Sequence, residues 1–112
     1  MTIAQFGSGL NAIEKGPPFV HFSWDPAPDT DFGVYAEEDE SLFRADDRHS
    51  EKTTLVYVNL YTRDDTGATK DKIETYFNSL MNGENTFGWY VNTIQYEDET
   101  RFIHIEWIVE FA

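Results

Sequence analysis

The three histidines are the first residues whose chemistry could matter, because imidazole nitrogens bind metals and exchange protons near neutral pH. His21, His49 and His104 lie far apart in the chain, and neither an HxH nor an HExxH spacing joins them. A metal site would require two or three of them to converge with a carboxylate. Their spacing does not require this, so we interpret them as ordinary surface histidines and predict neither a metal site nor a cofactor.

Clustered carboxylates are the second candidate for chemistry. Glu37–Glu40 and Asp46–Asp47 could bind calcium, and Glu97–Glu99 could supply half of an acid–base pair. The first group lacks the alternating acidic ligands and the glycine of an EF-hand loop. The last group fits a hairpin turn, where polar residues are expected. We therefore interpret these carboxylates as solvated surface charge.

Nucleophilic and phosphate-binding motifs do not occur in the sequence. The chain has no cysteine, so thiol catalysis, disulfides and cysteine-based zinc sites are excluded. No serine lies in a nucleophile elbow, and Gly7-Ser8-Gly9 does not form a phosphate-binding loop before a helix. The sequence predicts no catalytic residues and no enzyme.

Charge and length narrow the class of protein further. The 112 residues predict one domain, residues 1–112, and include 21 acidic against 8 basic side chains, a formal charge of −13. Nucleic-acid readers need clustered Lys and Arg for phosphate contacts, so this balance argues against them and against anionic membranes. We expect no signal peptide, and no run reaches the ~20 apolar residues that a membrane span needs.

A strand, a turn and a helix form the centre of the predicted fold. Thr53–Thr62 is rich in β-branched and aromatic residues, which predicts a strand. The turn at residues 64–67 follows, and either Asp65 or Thr66 is expected to cap the next helix. That helix is predicted from apolar residues at helical spacing, namely Ile73, Tyr76, Phe77, Leu80 and Met81.

The remaining elements flank this unit. A short N-terminal helix is predicted from Ile3, Phe6, Leu10 and Ile13, weakened by Gly7 and Gly9, and ended by residues 16–18. Strands are expected at Phe19–Trp24 and Phe32–Glu37, the second antiparallel to the central strand across a charged arm, Glu38–His49. A hairpin of Trp89–Glu97 and Arg101–Phe111 closes the chain. The sum is an α+β fold with a single, mostly antiparallel sheet, two helices on one face and the order α-β-β-β-α-β-β.

The second half of the chain also has a recognisable layout, carried by Phe32–Tyr35, Leu60-Tyr61-Thr62, Ile73, Tyr96-Glu97 and Glu106–Phe111. This layout resembles the minor tail proteins of long-tailed bacteriophages and related prophages, in particular the tail terminator (tail completion) family. The resemblance extends from about Phe32 to the last residue, while the first thirty residues fit only in general layout.

The resemblance implies a structural virion protein without catalysis. Such proteins form a ring, commonly a hexamer, at the head-proximal end of the tail tube and join it to the head connector. They assemble in the host cytoplasm and then reside in the virion tail, where DNA passes without specific binding. On this basis we expect subunit contacts at aromatic residues and at the charged arm, namely Trp24, Leu42, Phe43, Arg44, Trp89 and Phe102.

Two other classes stay open at this stage. An acidic inhibitor or DNA mimic would place carboxylates along one face at phosphate-like spacing and would bind a nucleic-acid-processing enzyme. An enzyme would need a concave pocket with convergent polar groups and shifted pKa values. The charge can also be explained simply as a solvated acidic surface, which is compatible with all three classes: a tail protein, an inhibitor or DNA mimic, and an enzyme.

Overall fold

A computed structural model describes residues 1–24, 26–38, 54–81 and 86–111 of the chain. The chain has an α+β fold whose elements follow the predicted order of helix, three strands, helix and two strands. The elements are α1 (Ile3–Asn11), β1 (Phe19–His21), β2 (Phe32–Glu38), β3 (Thr54–Thr62), α2 (Ala68–Leu80), β4 (Thr86–Tyr96) and β5 (Ile103–Phe111).

All five strands form one sheet in the order β1-β2-β3-β5-β4. The β1–β2 pair is parallel, and the other three pairs are antiparallel, including the predicted pairing of β2 with β3. In the register of the two central strands Val58 lies opposite Trp107 and Tyr61 opposite His104. The longest strand, β4, is at one edge of the sheet and the three-residue β1 is at the other.

One face of the sheet forms the core. The predicted alternation of β5 is confirmed, because Ile105, Trp107, Val109 and Phe111 are buried on this face. Both helices cover it, with Phe77 of α2 in ring contact with Trp107 at 5.6 Å. The fully buried Trp107 indole donates to Glu74 Oε2 at 2.9 Å, so its polar nitrogen is satisfied.

Helix α1 begins with a capping box in which the Thr2 hydroxyl accepts from Gln5 N, and the Gln5 side chain accepts from Thr2 N. The sequence predicted that Gly7 and Gly9 weaken this helix. The fold explains why they are present, because an added Cβ would lie 2.0 Å from the Tyr35 hydroxyl oxygen at Gly7 and 2.1 Å from that of Tyr76 at Gly9. The glycines let α1 approach β2 and α2 closely.

The start of α2 corrects one prediction. Asp64, rather than Asp65, accepts from the helix: its carboxylate oxygens accept from the backbone N–H groups of Thr66 and Thr69 and from both hydroxyls. These hydrogen bonds hold the pKa of Asp64 well below its usual range. Thr66 contributes as predicted, accepting from Ala68 N at 3.2 Å, while the N-cap itself is Gly67 with φ 85°.

Two other boundaries differ from the prediction. Met81 was assigned to the apolar stripe of α2, but it follows the last helical residue and is 45% exposed. The strand predicted at Phe19–Trp24 ends at His21, because Phe22 has φ 75° and Ser23 N–H donates back to His21 O at 3.1 Å. This three-residue turn of the γ type is a strained conformation that a continuing strand cannot adopt. The arm beyond Glu38 lies outside the described residues.

Candidate functional site

The sheet face opposite the helices is the most extensive candidate surface. In the described ranges no helix lies on this face, which we call the open face. Alternation places the following strand residues on it: Phe32, Val34, Ala36 and Glu38 of β2; Leu55, Tyr57, Asn59 and Tyr61 of β3; His104, Glu106, Ile108 and Glu110 of β5; and Gly88, Tyr90, Thr93 and Gln95 of β4. The surface is mixed, with aromatic side chains at both ends.

A row of stacked rings crosses three strands at one end of the open face. Phe32 lies opposite Tyr61, which lies opposite His104, and the ring centroids are 4.7 and 4.3 Å apart. His104 Nε2 is 2.7 Å from Asn59 Oδ1, which fixes the imidazole plane. Burial raises the pKa of Tyr61, and the nearby Glu97 carboxylate raises it further, so its hydroxyl remains a hydrogen-bond donor at neutral pH.

Phe32 and Tyr61 of this row form the floor of an aromatic cleft of about 650 Å³. Trp24 stands at its side, donating from Nε1 to Gly33 O at 3.0 Å, and Phe102 packs edge-on against Phe32 at 5.7 Å. The exposed Phe22 ring also borders it. Aromatic walls with a few polar groups suit an apolar or aromatic side chain of a partner better than a charged substrate.

Arg63 connects the two loops that border this aromatic cleft. Its guanidinium donates to Asp29 O, to Asp29 Oδ1 at 3.2 Å and to Thr100 O at 2.9 and 3.0 Å. The same group lies 4.1 Å from the centroid of the Phe102 ring, a cation–π geometry. The Asp29 and Thr100 loops are therefore tied together by one exposed side chain.

A second, smaller groove lies at the other end of the open face. It has a volume of about 370 Å³ and includes Tyr57, Tyr90 and Ile108. The Tyr57 hydroxyl donates to Glu38 Oε2 at 3.3 Å, while the Tyr90 side chain is 56% exposed. Burial raises the pKa of Tyr57, and Glu38 raises it further. This Tyr57–Tyr90 groove gives the open face a second aromatic contact region.

The two edges of the sheet differ in a way that the sequence did not predict. At the β1 edge the Asn11 side chain donates to Phe19 O at 2.9 Å and accepts from Phe19 N at 2.8 Å, which satisfies both backbone groups. At the other edge β4 pairs with β5 along one side, and no other described strand pairs with it. An exposed strand edge is a template for another chain.

The histidines do not form a common site. His21 Nε2 is 2.6 Å from Glu37 Oε1. Burial raises the pKa of Glu37, but the His21 hydrogen bond, a backbone hydrogen bond and the nearby His21 charge together lower it below its usual range. His104 lies in the aromatic row on the opposite face, and His49 is outside the described residues. Among the residues that the structure describes, no three His, Asp or Glu side chains converge as metal ligands.

The residues expected at subunit contacts differ in burial and in the face of the sheet on which they lie. Trp24 is half-buried beside the aromatic cleft, whereas Phe102 is buried beneath it with 5% exposed. Trp89 faces the helices, in contact with the Phe77 ring at 5.8 Å. Its neighbour Tyr90 is the residue that presents a ring to solvent. The expected anchor at residues 42–44 lies outside the described residues.

Comparison with known proteins does not assign a family or a function, since neither a protein-family model nor a curated protein matches this chain. Within the described ranges, the helices are too short and too polar for a membrane crossing. The open face, the sheet edges and the layout of the sequence are therefore the features that bear on function.

Proposed function

We propose that this protein is a structural subunit of a bacteriophage or prophage tail, a tail terminator or tail completion protein that carries out no reaction. The observation that carries the proposal is the open face, which presents aromatic contact regions that no helix of the described ranges covers. The layout of residues 32–111 supports the same class. In this role the protein assembles as a ring, with six copies as the expected number, at the head-proximal end of the tail tube.

The open face supplies what such a subunit needs for contacts along the tail axis. The aromatic cleft and the Tyr57–Tyr90 groove lie at opposite ends of one surface, so a partner protein can contact both regions at once. Aromatic side chains that are partly exposed contribute strongly to protein interfaces. Tube subunits and head-connector proteins are the proposed partners, while the acidic charge of −13 lets DNA pass without ion pairing.

The inhibitor or DNA-mimic alternative receives less support from this surface. A mimic needs rows of carboxylates, but the strand positions of the open face include only Glu38, Glu106 and Glu110 as acidic residues. The middle of the face is occupied by Asn59 beside Glu106, and both ends are aromatic. The face is better suited to a protein surface than to a site that binds phosphate-like charge.

The proposal is tested by locating the protein in particles produced from the genome that encodes it. Gold-labelled antibody against the chain should mark the junction of head and tail in electron micrographs. A double variant, Tyr57→Ala with Tyr90→Ala, should reduce incorporation, whereas Ala4→Lys on the exposed side of α1 should not. Particles of normal tail length that lack the protein would refute the proposal.

A further inference from the structure

Among the described residues, no other strand pairs with the outer edge of β4, so its backbone hydrogen-bonding groups are available to another strand. Glu97 N–H donates to Phe102 O at 2.8 Å, which marks a hydrogen-bonded position at the end of the β4–β5 ladder. Antiparallel ladders alternate, so Gln95 is also hydrogen-bonded to β5, whereas Ile94 and Tyr96 are not. The N–H and C=O groups of Ile94 and Tyr96 therefore point outward from the sheet.

The composition of β4 is that of an interior strand. Its sequence, TFGWYVNTIQY, has neither a charged residue nor a proline, although 26% of the chain is charged. The central strand β3 is likewise uncharged, but it is paired on both sides. Edge strands are normally protected by lysine, proline or bulges. β4 has irregularities at Thr86/Gly88 and Val91/Thr93, which leave Thr93–Tyr96 as its regular terminal segment.

The side chains of this segment are exposed as well as its backbone. Ile94 is 57% exposed and Tyr96 is 60% exposed. Both are on the helix side of the sheet, opposite Ile105 and Ile103, yet beyond the part of that face that the helices cover. A strand added at this edge would cover the two side chains and pair their backbone groups at once.

The other edge of the sheet is not equivalent. Asn11 occupies the outward N–H and C=O groups of Phe19, and the His21 carbonyl accepts from Ser23. Sheet-to-sheet association of β4 with β1 is therefore blocked. In the described part of the chain, the free strand edge that can meet β4 of one copy is β4 of another.

The absence of charge along β4 favours a second copy over a basic partner. Each chain carries a formal charge of −13, so two copies repel across most of their surfaces. Pairing along the uncharged part of β4 brings two such chains together without placing carboxylates directly opposite each other. A basic partner, by contrast, would gain most at the acidic parts of the surface and least along β4.

We propose that two copies of this chain pair through Ile94–Tyr96 of β4, antiparallel and related by a two-fold axis at Gln95. In this register Ile94 of each copy lies opposite Tyr96 of the other, and their outward backbone groups form four hydrogen bonds. Ile94 packs against Tyr96 of the second copy on one side of the joined sheet, and the two Gln95 side chains meet on the other.

Disulfide trapping tests the register, because the chain has no native cysteine. In the proposed pair the two Gln95 residues form a non-hydrogen-bonded position, with Cα atoms about 4.5 Å apart. That separation lies within the range of about 4.4–6.8 Å found in disulfides. Gln95→Cys should therefore form a covalent dimer under mild oxidation, visible by non-reducing electrophoresis.

Thr93→Cys is the matched control, since Thr93 is exposed and on the same side of β4. In the proposed register the two Thr93 residues are four positions out of alignment, about 14 Å apart at ~3.4 Å per residue, too far for a disulfide. Equal dimer yields from both cysteine variants, or no dimer from Gln95→Cys, would overturn the proposal.

Sedimentation at several protein concentrations provides the second measurement. The unmodified chain should show a reversible monomer–dimer equilibrium, and Ile94→Lys should shift it to monomer by placing a charge at the seam. Ala4→Lys adds the same charge on α1 and should leave the equilibrium unchanged. A strictly monomeric wild-type chain, or an Ile94→Lys variant that still dimerises, would contradict the pairing.

This proposal does not depend on the role in a phage tail. A dimer trapped at Gln95 with no protein at the head–tail junction would refute the proposed function alone. Incorporation into particles without trapping would refute the pairing alone.

Discussion

Replacing Gly9 by alanine should destabilise the protein, although the same change normally stabilises a helix. An alanine in a helix interior is favoured over glycine by up to about 1 kcal/mol. At Gly9 the new Cβ would lie 2.1, 2.5 and 2.6 Å from the Oη, Cζ and Cε1 atoms of Tyr76. Cβ contacts this short are not tolerated, so either the tyrosine or the helix must move.

Tyr76 has little room to move. Its hydroxyl donates to Phe6 O at 2.9 Å, and its ring contacts Phe6 at 5.8 Å and Phe77 at 6.1 Å. Burial raises the pKa of Tyr76 to about 12. Overpacking costs about 1–3 kcal/mol, and losing the Tyr76 hydrogen bond adds about 1 kcal/mol. After the gain in helix propensity, we expect Gly9→Ala to lower the free energy of unfolding by about 1–3 kcal/mol.

Urea unfolding followed by tryptophan fluorescence measures this change. Ser8→Ala, an exposed neighbour on the same helix, is the control and should stay within about 0.5 kcal/mol of wild type. In a Tyr76→Leu background the obstacle is smaller, so Gly9→Ala should lose most of its cost there. A Gly9→Ala protein as stable as wild type, with an equal effect in both backgrounds, would refute the close-approach argument.

Three further predictions concern other parts of the fold. Asp64→Ala should lower the thermal midpoint most at pH 5–7, because folding depresses the pKa of the Asp64 carboxyl. The stabilisation that the ionised carboxylate provides is complete above its unfolded pKa of about 4 and is lost as the pH falls through the folded pKa. The difference in melting temperature between this variant and wild type should therefore narrow as the pH falls from 4 to 2, and a constant difference would contradict this cause. Asn11→Ala should cost about 1–2 kcal/mol for two hydrogen bonds and speed amide exchange at Phe19; unchanged exchange there would count against the edge closure. Phe77→Ala should cost about 3–5 kcal/mol in denaturant unfolding because the ring is fully buried between both helices and the sheet, and a loss below 1 kcal/mol would be inconsistent with that packing.

The sequence predicted the order of elements because period and burial coincide in this chain. β5 alternates except at Ile108, and a shift of one residue would bury Glu106 and Glu110, so its inward face was identifiable. α2 was identifiable from Ile73 and Phe77, which are both fully buried. The prediction of the acceptor at the start of α2 failed because Asp64 and Asp65 are chemically equivalent and both can accept hydrogen bonds from a helix. The left-handed conformation of Gly67 determines which of the two carboxylates is aligned with the helix.

The candidate site was harder to predict from the sequence, because it depends on the register between strands that are far apart in the chain. Phe32, Tyr61 and His104 come from three strands, and they stack only because of the specific alignments of β2, β3 and β5. The strained conformation of Phe22, with φ 75°, has no signature in its residue type, since phenylalanine ordinarily avoids it. A charge-free run at residues 86–96 was visible in the sequence, but its position at the sheet edge was not.

The closure of β1 by Asn11 has a consequence for what two paired copies can become. Joining two sheets through β4 uses the free edge of each, and the outer strands of the resulting ten-stranded sheet are then both β1. At each of these edges the Asn11 amide forms the two hydrogen bonds to the Phe19 backbone that a neighbouring strand would otherwise form. Growth by strand addition therefore stops at two copies, so a chain with a long, uncharged and exposed strand is protected from fibre formation by a single asparagine on the far side of the molecule.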